Sequence, residues 1–197
     1  MPARRVVVAT RNEHKLREFR EILEPTLELL ALAEEVELPP EDADTFAENA
    51  LDKARAAYAA TGLSAIADDS GIAARALDGR PGPRSARFAG PDATDEENLS
   101  LLLEELSEAD DRSVAYVCAL AYVDDGGDER LIEGRCEGTL AEVPRGTGGF
   151  GYDPAFVPVD TGPDDDRTMA ELDPSEKHAI SHRGRAARKL AEALGES

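Results

Sequence analysis

A chain of 197 residues that is 41% hydrophobic can bury a sizeable core and sits near the upper edge of one domain, so a single domain over residues 1–197 is expected. Its formal net charge of −20, from 42 acidic against 22 basic residues, would repel a duplex-sized polyanion and argues against nucleic acid as a partner. The first apolar run, Val6 to Val8, is too short for a signal segment or a membrane span, so no membrane partner is expected and the cytoplasm is the expected compartment.

In chain order, Val6 to Ala9 predicts a buried strand, and Asn12 then caps a helix whose apolar face carries Leu16, Phe19 and Leu23 at helical spacing. Leu27 to Leu32 reads as a second strand. Pro39 and Pro40 open a loop that closes at Thr45, where Thr45 and Glu48 form a capping box for an alanine-rich helix ending at Gly62. Ser64 to Ala67 predicts a short strand followed by a polar turn, Asp68 to Gly71, at the sheet edge where open α/β folds bind ligands. Gly79 to Pro91 reads as a loop, and Thr94 with Glu97 starts a helix bearing Leu99, Leu102, Leu103 and Leu106. Val114 to Val123, a turn at Asp124 to Gly127, and Arg130 to Glu137 predict a hairpin. A glycine loop spans Gly146 to Gly151, and a helix from about Ser175 to Leu194 closes the chain. This order predicts an α/β fold with a mixed sheet. Cys118 and Cys136, with no second pair, are expected to be buried reduced thiols.

Four segments carry chemistry. Asn12 and Lys15 follow a buried strand, where a helix N-terminus and a lysine can face a phosphate; an ordinary capped helix reads the same way, and the flanking glycines of a Walker loop are missing. Asp68 and Asp69 can leave a strand end together and converge on a hard cation such as Mg²⁺, although adjacent acids are common in so acidic a chain. Gly146 to Asp153 places flexible backbone beside Phe150 and an acid, which suits a flat ring stacked on the phenyl group; the alternative is a tight turn. Ser175 to Gly184 sets Lys177, Ser181, His182 and Arg183 along one polar edge able to read base carbonyls, with a solvated amphipathic helix as the competing reading. His178 and His182 lack the intervening glutamate of a zinc helix. Only Lys15, Lys53, Lys177 and Lys189 are lysines among the basic residues, a skew that fits either adaptation to high salt or an acidic protein from a GC-rich genome.

Together these segments resemble the inosine triphosphate pyrophosphatase family, the XTP/dITP diphosphatases, nearly end to end. The resemblance is carried by Ala-Thr-Arg-Asn-Glu-His-Lys at 9–15, Thr-Phe-Ala-Glu-Asn-Ala at 45–50, Ala-Asp-Asp-Ser-Gly at 67–71 and Pro-Arg-Ser-Ala-Arg-Phe at 83–88. Gly-Thr-Gly-Gly-Phe-Gly-Tyr-Asp-Pro at 146–154 and Ser-Glu-Lys-His-Ala-Ile-Ser-His-Arg-Gly at 175–184 complete it. It implies a homodimer, each subunit an elongated mixed β-sheet flanked by helices in two lobes with a nucleotide cleft between them. It also implies hydrolysis of nonstandard purine triphosphates (ITP, dITP, XTP) to the monophosphate and pyrophosphate, with Mg²⁺ as cofactor.

By position, Thr10, Arg11, Asn12, Glu13, His14 and Lys15 would take the triphosphate, with Lys53 as a further phosphate contact and Asp69 as the general base. Glu41, Asp68 and Asp69 would hold the metal, and Ser70 would line the site. Phe150, Gly151 and Tyr152 would sit at the purine while Asp153, Lys177, His182 and Arg183 read its edge. The loop before Thr45 departs from the family's Glu-Glu-Thr-Gly, so Asp42 or Asp44 could substitute for Glu41. The rival functions are a related septum-inhibitor-type pyrophosphatase that prefers dTTP or UTP, and a nucleotide-binding regulator without turnover.

Overall fold

The computed structural model describes residues 4–24 and 27–195. Its strands are β1 (Arg4–Val8), β2 (Leu27–Ala31), β3 (Ser64–Ala74), β4 (Ser113–Val123), β5 (Glu129–Leu140) and β6 (Phe156–Pro158). Five helices accompany them: α1 (Glu13–Leu23), α2 (Phe46–Thr61), α3 (Asp95–Glu105), α4 (Pro174–Ile180) and α5 (His182–Gly195). The sheet order is β2-β1-β3-β4-β5-β6. β1 runs parallel to β2 and β3, whereas β5 and β6 are antiparallel, so the sheet is mixed and helix-flanked, as expected.

The described residues divide into two compact units. The first takes the described residues up to Asp69, Cys118–Gly134 and the described residues from Arg183 on; the second is Ser70–Val117 and Arg135–His182. In the first unit both sheet faces are covered, which explains the unbroken apolar runs of β1 and β4. Val6, Val8, Ile66, Cys118, Leu120 and Tyr122 pack with Phe19 and Leu23 of α1 and Leu190 of α5. The alternate residues Val7, Ala65, Ala67, Ala119, Ala121 and Val123 pack with Ala50, Ala54 and Ala57 of α2, since successive strand side chains point to opposite faces. Alanines let α2 lie close to the sheet. In the second unit Ile72, Val114 and Tyr116 join Leu99, Leu102 and Leu106 of α3, with Phe156 and Met169. Residues 134–140 of β5 alternate buried and exposed, the mark of a face open to solvent.

Helix ends follow local chemistry. Thr45 Oγ1 accepts the Glu48 N–H at 3.2 Å and donates to Glu48 Oε2 at 2.8 Å. Gly62, at φ 66°, closes α2 with its N–H on the Tyr58 carbonyl, in the left-handed conformation glycine adopts without strain. Thr94 with Glu97 forms the full reciprocal box that starts α3.

Four expectations change. β3 does not stop at Ala67 for a polar turn; it continues through Asp68 and Asp69 to Ala74, because both carboxylates find partners on the flanking helices. The C-terminal helix is two, since Ser181 is extended (ψ 146°) while its N–H still caps the Lys177 carbonyl. α4 opens at Pro174, close to the expected start, where Asp173 and Glu176 form a second reciprocal capping box. The expected 79–91 loop holds a 3-10 turn at Gly82–Arg87, and Phe156–Pro158 adds a strand too short to show periodicity.

Candidate active site

In the first unit, buried charge is organised by β3. Asp68 and Asp69 are neighbours on a strand, where a turn was expected, so their side chains leave on alternate sides. Asp68 lies on the α1/α5 face: Lys15 Nζ of α1 is 3.0 Å from Oδ2 and Arg183 Nε of α5 is 3.2 Å from the same oxygen. Arg183, only 3% exposed, also pairs through Nη1 with Glu18 of α1. Asp69 lies on the α2 face, where Asn49 Nδ2 donates to its Oδ2 at 2.8 Å. Lys53, one turn further along α2, donates to the Asp68 main-chain carbonyl at 2.7 Å and pairs with Glu41.

These surroundings separate two adjacent carboxyls. Burial alone would push Asp68 up, but Lys15 and Arg183, with Lys53 behind them, hold it well below the usual carboxylate range. Asp69 is pushed up to about 6 by burial, with the Asn49 hydrogen bond pulling against this and the Glu41 charge adding to it. Lys53 is pulled down by burial, yet Asp68 and Glu41 outweigh that and leave it raised. Asp68 is thus a fixed anion, whereas Asp69 exchanges a proton near neutrality.

The loop before α1 serves the fold more than expected. Asn12 Oδ1 accepts the His14 and Lys15 N–H groups at 2.9 and 3.2 Å, and Thr10 Oγ1 accepts the Asn12 N–H at 3.1 Å, so these amides are satisfied by the chain's own side chains and do not form a bare phosphate cradle. Arg11 donates to the Leu32, Ala33, Glu34 and Val36 carbonyls at 2.6–3.1 Å, which makes it a loop anchor. Glu13 and His14 are exposed on the first turn of α1.

In the second unit, the glycine loop closes on Asp153. Its Oδ1 accepts from the Tyr116 hydroxyl at 3.0 Å; its Oδ2 accepts from Lys177 Nζ at 2.6 Å and from the Phe150 N–H at 3.0 Å. Gly149, at φ 74°, is required because a Cβ there would run into the Asp153 carboxylate. Lys177 Nζ stands 5.1 Å from the Phe150 ring centre, and the phenyl group is 36% exposed, a ring held for contact and not buried as core. The His182 ring stacks on Tyr116 at 4.8 Å. Burial, followed by the facing Asp153, raises the Tyr116 phenol well above its ordinary range, so it stays a donor. Ser70 is half-buried in β3.

Three residues expected at the base have partners within the protein. Tyr152 is buried, its hydroxyl donating to the Ser85 carbonyl at 2.7 Å. The Gly151 N–H donates to Asp95 at 2.7 Å. Arg183 belongs to the first unit's charge cluster, because the extended Ser181 ends α4 and α5 starts on a new path. Sequence reasoning did not find Asn49, Glu18 or Tyr116. Asn49 could have been flagged: it and Lys53 are spaced i, i+4 beside the alanine stripe of α2, where a polar side chain needs a buried partner.

No group of three or more histidine, cysteine or acidic side chains is assembled for a metal among the described residues. What the first unit offers is hard oxygen donors on Asp69 and Glu41. Asp68 is already compensated by Lys15 and Arg183.

Comparison with known proteins assigns this α/β sheet and its buried charge cluster to a family. The profile of the Ham1 family matches residues 6–193, and the chain belongs to that family. It is similar to the dITP/XTP pyrophosphatase of Mycobacterium bovis, 48% identical over 96% of this chain and 95% of the relative. That of Geobacter sulfurreducens is 47% identical over 97% and 96%. Among solved structures, a HAM1 protein from Coxiella burnetii matches with a TM-score of 0.89 at 42% identity, over 98% of this chain and all of that one. The Mycobacterium abscessus nucleoside-triphosphatase / dITP/XTP pyrophosphatase matches at 0.77 and 46%, over 94% and 98%. No helix among the described residues is long and apolar enough to cross a membrane.

Proposed function

We propose that this protein hydrolyses nonstandard purine nucleoside triphosphates, ITP, dITP and XTP, to the monophosphate and pyrophosphate. The observation that carries the reading is the divergence of Asp68 and Asp69 across β3. One carboxylate is a fixed anion that holds Lys15 and Arg183; the other is a proton acceptor poised near neutrality, where a general base works best.

The first unit's cluster takes the phosphates. Asp69 accepts a proton from a water as its oxygen attacks the α-phosphorus, the bond from that phosphorus to the bridging oxygen breaks, and pyrophosphate leaves. Lys15 and Lys53 stabilise the charge that develops, already fixed in place by Asp68 and Glu41. The buried cations Lys53 and Arg183 and the half-buried Lys15 face the carboxylates of Glu18, Glu41, Asp68 and Asp69, so the cluster carries no excess positive charge for a polyphosphate. Mg²⁺ would fit that deficit: Glu41 and Asp69 are the carboxylates that would hold it, and it would neutralise phosphate charge.

The second unit's cluster takes the base. Phe150 stacks on the purine, and Lys177 and His182 present donors to a 6-oxo group, so the 6-amino group of adenine would set donor against donor. Such a mismatch costs about 1–3 kcal/mol per buried group. Assembly as a homodimer, in the cytoplasm, belongs to the same reading, as does activity at high salt.

The test is pyrophosphate release from ITP, XTP, GTP, ATP and dTTP at low and high potassium chloride, with and without Mg²⁺, alongside light scattering for the dimer. ITP and XTP should lead and Mg²⁺ should be required. Faster turnover of dTTP than of ITP would overturn the purine assignment in favour of a related pyrophosphatase. Asp69→Asn should lower turnover about 10²–10⁴-fold and change ITP affinity, by calorimetry, far less; a normally active variant would remove Asp69 from its role.

A further inference from the structure

We infer that Asn49 is a positioning residue that aims the Asp69 carboxylate and, through the same side chain, anchors the loop that carries Glu41. This rests on the reading of Asp69 as the base. Asn49 is 2% exposed on α2, and both ends of its amide are used: Oδ1 accepts the Ala43 N–H at 3.0 Å, while Nδ2 donates to Asp69 Oδ2 at 2.8 Å.

The orientation of that amide is chemically forced. A main-chain N–H can only donate, so the amide oxygen must face Ala43 and the NH₂ group must face Asp69. One rigid plane therefore connects a loop two residues beyond Glu41 to the carboxylate on β3. Asn49 sits on a helix held to the sheet by Ala50, Ala54 and Ala57, which gives the amide a fixed footing. The bond holds Oδ2 and so restrains the rotation of the carboxylate. Lys53 lies one turn along the same helix and grips Glu41 directly; Asn49 and Lys53 thus hold the acidic loop from adjacent positions. A base misplaced by about 1 Å can lose about 10²-fold in rate, and here a single amide supplies the constraint.

The variants separate the two ends. Asn49→Asp keeps the shape and the acceptor for Ala43 but turns an acceptor toward Asp69; Asn49→Ala removes both ends. We expect Asn49→Asp to lower kcat for ITP about 10- to 100-fold with KM changed less than about threefold, and Asn49→Ala to lose at least as much. A kcat within twofold of the parent in Asn49→Asp overturns the inference, as does a loss that falls on KM alone. Should either variant fail to fold, the intact protein still decides. The Asn49 side-chain NH₂ resonances should be protected from exchange and should shift in Asp69→Ala; fast-exchanging or unmoved resonances overturn it. Asp69→Asn assayed alongside tells the two failures apart. If Asp69→Asn is inactive while Asn49→Asp is normal, Asn49 alone loses its role; if Asp69→Asn is fully active, the base assignment falls and takes this inference with it.

Discussion

The two units bury charge in opposite ways. In the first, a single strand carries two acids to opposite faces, and each is met by cations or amides from helices distant in sequence. In the second, one acid, Asp153, sits at the end of a glycine loop and is consumed by a phenol, a lysine and a main-chain N–H. The first arrangement depends on strand register and on desolvated ion pairs, so its members are coupled and costly to remove. The second depends on local backbone shape and leaves a ring exposed, so its members can be altered more cheaply and should report on affinity before stability.

The sharpest test of that contrast is Asp68→Asn, which strands the buried Arg183 and the half-buried Lys15 and should cost about 3–5 kcal/mol of unfolding free energy. The pH dependence has a definite sign. Because the fold holds the Asp68 carboxyl well below its ordinary range, its contribution is complete above the unfolded-state value of about 4 and is lost as pH falls below it. Urea unfolding from pH 7 to pH 3 should therefore show the gap between parent and variant narrowing below about pH 4; a constant gap would remove Asp68 from the centre of the network.

Tyr116→Phe deletes one donor from the buried Asp153 and should cost about 1.5–3 kcal/mol, read in the same denaturation experiment, with a weakened preference for ITP over ATP. Phe150→Ala should leave stability unchanged and raise the KM for ITP about 5- to 150-fold, the equivalent of about 1–3 kcal/mol of base stacking. A fall in melting temperature with no change in KM would make Phe150 part of the core instead. The smallest effect is expected from Arg11→Ala, which frees the 32–36 loop: a melting temperature lower by about 2–4 °C and a smaller KM change than Phe150→Ala. The reverse ranking would return Arg11 to the phosphates.

Much of the fold could be read in advance because its signals are short-ranged. Asn12, Thr45 and Thr94 marked helix starts, Leu99, Leu102 and Leu106 marked a buried stripe, and Val114 to Val123 marked a strand covered on both faces. The misreadings share one cause. Asp68 to Gly71 looked like a turn because charged residues are disfavoured within a central strand, and that penalty vanished only once Lys15, Arg183 and Asn49 supplied partners. Arg11 and Tyr152 resembled ligand contacts because nothing local reveals the carbonyls they reach, at Leu32 to Val36 and at Ser85.

Local sequence, then, was enough to establish most of the order of strands and helices, the caps that start α1, α2 and α3 and the presence of an acid pair, a glycine loop and a basic tail segment. Periodicities of two and 3.6 residues, and caps that reach three residues, are written in neighbouring side chains. Which carboxylate became a fixed anion and which a base was decided in three dimensions. Asp69 meets Asn49 across 20 positions and Asp68 meets Arg183 across 115, and a carboxyl's proton affinity is set by burial and by the charges that face it, neither of which exists before the sheet and helices close around it.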